Sequence, residues 1–143
     1  MKIYVLGSNS FVDEMVSCKD KLLELGFDGW IHADYEAHVR GQKKAFPDTD
    51  LPKENAAFKK ANDYIRAHYK HILESDAVLI VNSEKRGIRN YIGGNCLMEM
   101  GQAYVNGKKI FLLNGIPEQS SYLDEILAME PVCLNGDLMG IAR

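Results

Sequence analysis

Compact apolar runs alternate along this chain with stretches in which apolar residues return every three or four positions, the pattern of strands separated by amphipathic helices. Lys2 to Gly7 (KIYVLG) is β-branched and aromatic and ends in Gly-Ser-Asn-Ser, which predicts a central strand closing in a tight loop. Ser10 with Asp13 resembles a capping box, and Phe11, Met15, Leu22 and Leu25 recur at helical spacing until Gly26, so a helix is expected over roughly Phe11 to Leu25. Asp28 to Ala33 (DGWIHA) reads as a second strand. Tyr35 to Pro52 is polar, carries Pro47 and Pro52 and holds no period; it reads as a long loop, either a lid over a ligand or a disordered insertion. From Lys53 to Glu74 the residues Phe58, Ala61, Ile65, His68 and Ile72 share one stripe, which predicts a single long helix.

Asp76 to Asn82 (DAVLIVN) is apolar almost throughout, as in a strand buried on both faces of a parallel sheet. A Gly-rich loop, Ser83 to Gly94, leads to a helix over Asn95 to Asn106 that stops at Gly107, and then to a strand over Lys109 to Asn114. A helix over roughly Tyr122 to Met129 and a fifth, edge strand over Pro131 to Leu134 complete the series. The expected fold is a single-domain α/β structure: a doubly wound, Rossmann- or flavodoxin-like, five-stranded parallel sheet with helices on both faces, joined by right-handed crossovers.

Composition narrows the function classes. The 143 residues carry a formal charge of -3 with a pI near 5.8, and their basic residues are scattered. This is no footprint for a nucleic acid polymer, although a single nucleotide fits. Cys18, Cys96 and Cys133 form no CxxC pair and no zinc spacing, which fits a reducing cytoplasm. No apolar run approaches a membrane span, so a soluble cytoplasmic protein with no membrane partner is expected.

Gly7-Ser8-Asn9-Ser10 lacks the lysine of a P-loop and the spaced glycines of a dinucleotide fingerprint, which removes NTPase and ordinary dehydrogenase readings. The loop either cradles a sugar or phosphate or simply caps the next helix. A receiver domain needs carboxylates after the first strand and an Asp closing the third; Ser8 and Asn82 stand there instead. His68 and His71 are spaced as metal ligands could be, yet His68 falls on the apolar stripe and no third ligand is in view, so neither metal nor cofactor is expected.

Glu99 is expected in the first turn of its helix, on a flank beside a core face drawn through Leu97, Met100 or Gly101, and Tyr104. There the helix N-terminus would keep it ionised, as suits a nucleophile; equally, a Glu at that position serves to satisfy free N–H groups. Gly101 makes sense if the backbone approaches the sheet or a ligand closely. Asp76 is either a second catalytic carboxylate or a strand-entry residue.

Taken together, Tyr4-Val5-Leu6-Gly7-Ser8, Ser75-Asp76 before DAVLIVN, Glu99-Met100-Gly101-Gln102-Ala103-Tyr104, and Gly107-Lys108-Lys109 with its apolar strand resemble the nucleoside 2-deoxyribosyltransferase superfamily, which includes the 2'-deoxynucleoside 5'-monophosphate N-glycosidases. The resemblance implies an enzyme that cleaves or exchanges the base of a nucleoside or nucleotide. Glu99 would be the nucleophile, Asp76 would assist departure of the base, and Tyr4 would stand near the nucleophile. Gly7, Ser8, Asn9 and Ser10 would hold the base or the 5' end, with Asn82, Gly93, Gly94 and Asn95 completing the substrate site. The family commonly has Asp or Ser where this chain has Gly93, so Asn90 or Asn95 would take over the sugar contact. A homodimer or larger assembly is implied as well. On the residues alone, a nucleotide-binding sensor on the same fold, or an interaction protein using Asn135 to Arg143, remain alternatives.

Overall fold

A computed structural model describes residues 1–42 and 51–143. Its five strands are β1 (Lys2–Gly7), β2 (Asp28–Trp30), β3 (Ala77–Val81), β4 (Lys109–Leu112) and β5 (Val132–Cys133). They form one all-parallel sheet in the order β2-β1-β3-β4-β5. Because side chains alternate along a strand, the sheet feeds two cores. Ile3, Val5, Leu79 and Phe111 pack with Met15 and Leu22 of α1 (Val12–Glu24) and with Leu138 and Ile141 near the C-terminus. Tyr4, Leu6, Val78, Ile80 and Leu112 pack on the other face with α4 (Tyr64–Leu73), α5 (Gly94–Val105) and α6 (Leu123–Ala128). The doubly wound α/β fold expected from the pattern is the one observed. Among the described residues no helix is long and apolar enough to cross a membrane.

Two elements differ from expectation. The segment after β2 opens with α2 (Ala33–Val39), where a loop was expected from Tyr35 onward. His32 Nδ1 accepts the Asp34 N–H at 3.1 Å as its cap, and only Tyr35 is buried, so seven residues carry too little apolar period to betray a helix. Lys19 ties α1 to α2 through Glu36 (2.5 Å), and the Tyr64 hydroxyl donates to Asp34 at 2.8 Å. The lid expected over the remainder of that stretch falls largely on residues 43–50, outside the described residues.

The single helix expected over Lys53 to Glu74 is two: α3 (Pro52–Ala61) and α4. Asp63 breaks it with a left-handed backbone, φ 51° and ψ 39°. Asp and Asn tolerate that region because their short polar side chains bond locally: Asn62 Nδ2 donates to Phe58 O at 2.9 Å and Arg66 reaches Asp63 at 3.3 Å. The apolar spacing in the sequence runs on through the break, which is why periodicity alone joined the two pieces, but Ala61 and Ile65 beside it are exposed and the buried face of α4 is Tyr64, His68 and Ile72. The break frees α3 from the sheet and carries Asn55 and Lys59 to a pocket described below.

Candidate functional site

In an open parallel sheet of this order, chain direction reverses between β1 and β3, and the loops leaving those two strands diverge to open a crevice at their C-terminal ends. A pocket of about 180 Å³ lies there, lined by Ser8 and Asn9 after β1, Asn55 and Lys59 of α3, Lys85 and Tyr91 of the loop after β3, and Gly93 to Cys96 at the start of α5. Lys85 Nζ donates to Ser8 Oγ at 3.2 Å and stands 5.1 Å from the Tyr91 ring centre, so the two loops meet across the crevice. A larger groove of about 490 Å³ between Tyr104, Phe111, Met129 and Ile141 holds no buried ionisable group.

Of the residues expected at a substrate site, Ser8, Asn9, Gly93, Gly94 and Asn95 line this pocket. Three do not. Gly7 is buried where β1 meets α1: a Cβ there would lie 2.8 Å from Met15 Sδ and 3.1 Å from Val81 O, so glycine is a packing requirement. Ser10 is exposed beyond the pocket. Asn82 is fully buried and its side chain is committed, donating to Gly115 O (2.8 Å) and accepting the Asn114 N–H (2.9 Å), which ties β3 to the segment after β4.

Glu99 also sits differently from expectation. Because α5 begins at Gly94, Glu99 lies past its first turn, which contains no acidic residue. The buried face runs through Cys96, Glu99, Met100 and Ala103, while Tyr104 is exposed. Glu99 is thus in the core, 2 % exposed. Asn95, one turn back and on the pocket wall, donates to its Oε1 at 2.7 Å, while Oε2 has no hydrogen-bond partner. Burial dominates: it pushes the carboxyl up to about 8, against the opposing Lys59 charge and the Asn95 hydrogen bond. The expectation of an ionised Glu99 is therefore reversed at neutral pH. Gly101 has open space where a Cβ would stand, so the close approach expected of it is absent and nothing in the structure explains this glycine.

Gly93 does have an explanation. A Cβ there would fall 2.9 Å from the Tyr91 hydroxyl, so the Tyr91 ring occupies the space of a side chain at 93. Asn95 stands at the pocket, whereas Asn90 faces away and holds its loop to Ile116 O at 3.2 Å.

Neither protein-family models, nor curated proteins, nor solved structures match this chain. The chemistry of the site therefore has to be read from its own groups.

Asp76 does not join Glu99. It precedes β3, at the N-terminal end of the sheet, and its Oδ2 accepts the Lys2 backbone N–H at 2.7 Å. Asp76→Ala is expected to cost about 1 kcal/mol of stability through that lost acceptor and to leave any turnover at the pocket unchanged, measured by urea denaturation beside an activity assay.

Tyr4 is linked to the pocket lining through side-chain hydrogen bonds. It is fully buried, and its hydroxyl lies 2.7 Å from His68 Nδ1 and 3.1 Å from His71 Nδ1. His68 Nε2 is 3.2 Å from the Tyr35 hydroxyl, which donates to Asn9 Oδ1 at 3.4 Å. Burial pushes both tyrosines upward; the charge of Glu99 adds to the rise in each, and Tyr35 adds to it for Tyr4. Tyr35, Asn55, Lys59, Lys85 and Tyr91 were missed from the sequence. Lys59 and Asn55 sit on a helix whose break is invisible to periodicity, and Tyr35 sits in a helix too short to register.

Proposed function

We propose that this protein cleaves or exchanges the N-glycosidic bond of a nucleoside or nucleotide, with Glu99 attacking the anomeric carbon. One observation carries the reading: a fully buried carboxyl with one oxygen fixed by Asn95 and the other unpartnered, one helical turn from the wall of a polar pocket at the β1/β3 crevice. A buried polar atom without a partner is costly and calls for a reason. An oxocarbenium-like centre at the anomeric carbon supplies one, because developing positive charge is stabilised by a carboxylate held in a dry site. In the first step the C–N bond breaks, its electron pair leaves with the base, and a C–O bond forms to Glu99. Water or a second base then displaces Glu99. Tyr91 offers a ring for the base to stack on, and Asn9, Asn55, Lys59 and Lys85 offer polar contacts around it. With Asp76 at the other end of the sheet, the proton for the departing base comes from solvent or from these lining groups.

The raised pKa favours a second reading: a nucleotide sensor in which neutral Glu99 grips a sugar hydroxyl. Incubating the protein with a panel of ribo- and deoxynucleosides and their monophosphates, with and without an acceptor base, between pH 6 and 9.5, separates the two. Base release measured by chromatography, rising toward alkaline pH as Glu99 ionises, supports the enzyme. Calorimetric binding with no base released under any condition supports the sensor. A cytoplasmic homodimer or larger assembly belongs to the same reading, and light scattering tests the assembly.

A further inference from the structure

The outward face of α5 carries no charge. Glu99 is the one acidic or basic residue of this helix, and it is buried. On the side away from the core stand Met98, Tyr104 and Val105, exposed by 39, 50 and 78 %, with half-buried Leu97 beside them. A helix face turned to water is ordinarily polar.

These four residues are placed symmetrically. Leu97 and Met98 lie four and three positions before Gly101, and Tyr104 and Val105 three and four positions after it. Gly101 itself has open space where a Cβ would stand. The face is therefore two apolar shoulders about a shallow centre, and turning it end over end lays each shoulder on the other.

The apolar surface continues onto the neighbouring helix. Ile65, Tyr69 and Leu73 of α4 recur every four residues and are exposed. On the opposite flank of α4, His71 packs on Trp30 of β2 with ring centres 4.7 Å apart, so the stripe lies on the flank toward α5, which packs beside α4. Together the six exposed side chains leave on the order of 600 Å² of apolar surface in water, taking roughly 200 Å² for each when fully exposed. A stable interface buries about 800 Å² on each partner, and its centre is enriched in Tyr and Met and depleted of Lys, Glu and Asp.

We propose that this face binds a second copy of the chain, with the two α5 helices crossing antiparallel about a twofold axis at Gly101. In that arrangement Met98 meets the second copy's Tyr104 and Leu97 meets its Val105, each contact occurring twice, as a twofold requires. Glycine at the crossing lets the two helix backbones approach closely, which supplies the reason this residue lacks within a single chain. A self-paired face has to be free of charge near its axis, since a twofold sets like charge against like there. The pairing follows from this face alone and holds whether or not Glu99 attacks a sugar.

Sedimentation equilibrium on the full chain, from about 1 to 100 µM, tests it. The wild type should sediment at twice 16.1 kDa. Met98→Glu alone and Tyr104→Lys alone should each weaken association by about a hundredfold or more, because each buries an unpaired charge. Met98→Glu/Tyr104→Lys in one chain should restore it, because each new carboxylate then meets the second copy's new ammonium. Gly101→Leu should separate the copies by filling the crossing point. Circular dichroism verifies the fold of each variant. On the wild type itself, an isotope-filtered NMR experiment on a mixed labelled and unlabelled sample should show contacts between the Met98 methyl of one copy and the Tyr104 ring of the other. A wild type that is monomeric at 100 µM overturns the proposal. A dimer unmoved by both single variants and by Gly101→Leu also overturns it, while leaving assembly through another face and the base-release reading standing. Failure of the double variant to associate, or a dimer without the Met98–Tyr104 contacts, overturns the crossing at Gly101, and the NMR result decides even where a variant does not fold.

Discussion

Glu99→Gln is expected to abolish base release, by about a thousandfold or more, and at the same time to raise the melting temperature, most strongly at alkaline pH. The first effect follows because an amide cannot form the glycosyl-enzyme bond. The second follows from linkage. In the folded protein Glu99 holds its proton up to about pH 8, whereas its ordinary value is 4.5. Between those values the unfolded chain has released a proton that the folded chain keeps, so this group makes stability fall as pH rises through that window and level off above it. At about 1.4 kcal/mol for each pH unit between the two values, the burden is on the order of 5 kcal/mol at pH 9 and close to zero at pH 4. Gln carries no such burden, and thermal denaturation at pH 4.5, 7 and 9 should show its advantage growing across the series. A variant that melts lower than wild type at every pH would contradict the buried, neutral Glu99.

Lys59→Met is the second large effect. Lys59 lines the pocket, and its positive charge opposes the burial that raises Glu99. Without it Glu99 should ionise at a still higher pH than in the wild type. Each pH unit of further rise removes about nine-tenths of the anion present at neutral pH, so base release at pH 7 should drop by roughly tenfold. Above the shifted value the rate should recover toward wild type. The full pH profile of kcat/KM reads this directly: an acid limb displaced to higher pH supports an electrostatic role for Lys59 on Glu99. An equal loss at every pH would mean that Lys59 serves only to hold the substrate.

Both effects depend on a carboxyl whose setting the sequence did not reveal. The spacing of residues 95 to 106 suggests a core face through Leu97, Met100 or Gly101, and Tyr104, with Glu99 on a flank. The buried face runs instead through Cys96, Glu99, Met100 and Ala103, because Met100 and Ala103 pack with side chains of β3 and β4 and bring Glu99 in with them. Asp76 failed as its partner for a related reason. A carboxylate just before a strand and another on the following helix look adjacent in sequence, but the strand carries the chain to the far end of the sheet before the helix begins.

What the amino-acid sequence determined by itself was the sheet: five strands, their parallel arrangement with helices on both faces, and the loops after β1 and before α5. These follow from local signals, since each strand is a dense apolar run and each helix a stripe, and burial of both faces leaves few other ways to assemble them. Only the tertiary structure decided the protonation of Glu99, the exclusion of Asp76 and the chain of hydrogen bonds through His68. Those depend on which groups from β1, α2, α3, α4 and α5 share one buried volume. Desolvation and hydrogen bonding are properties of that volume, not of any one stretch of sequence.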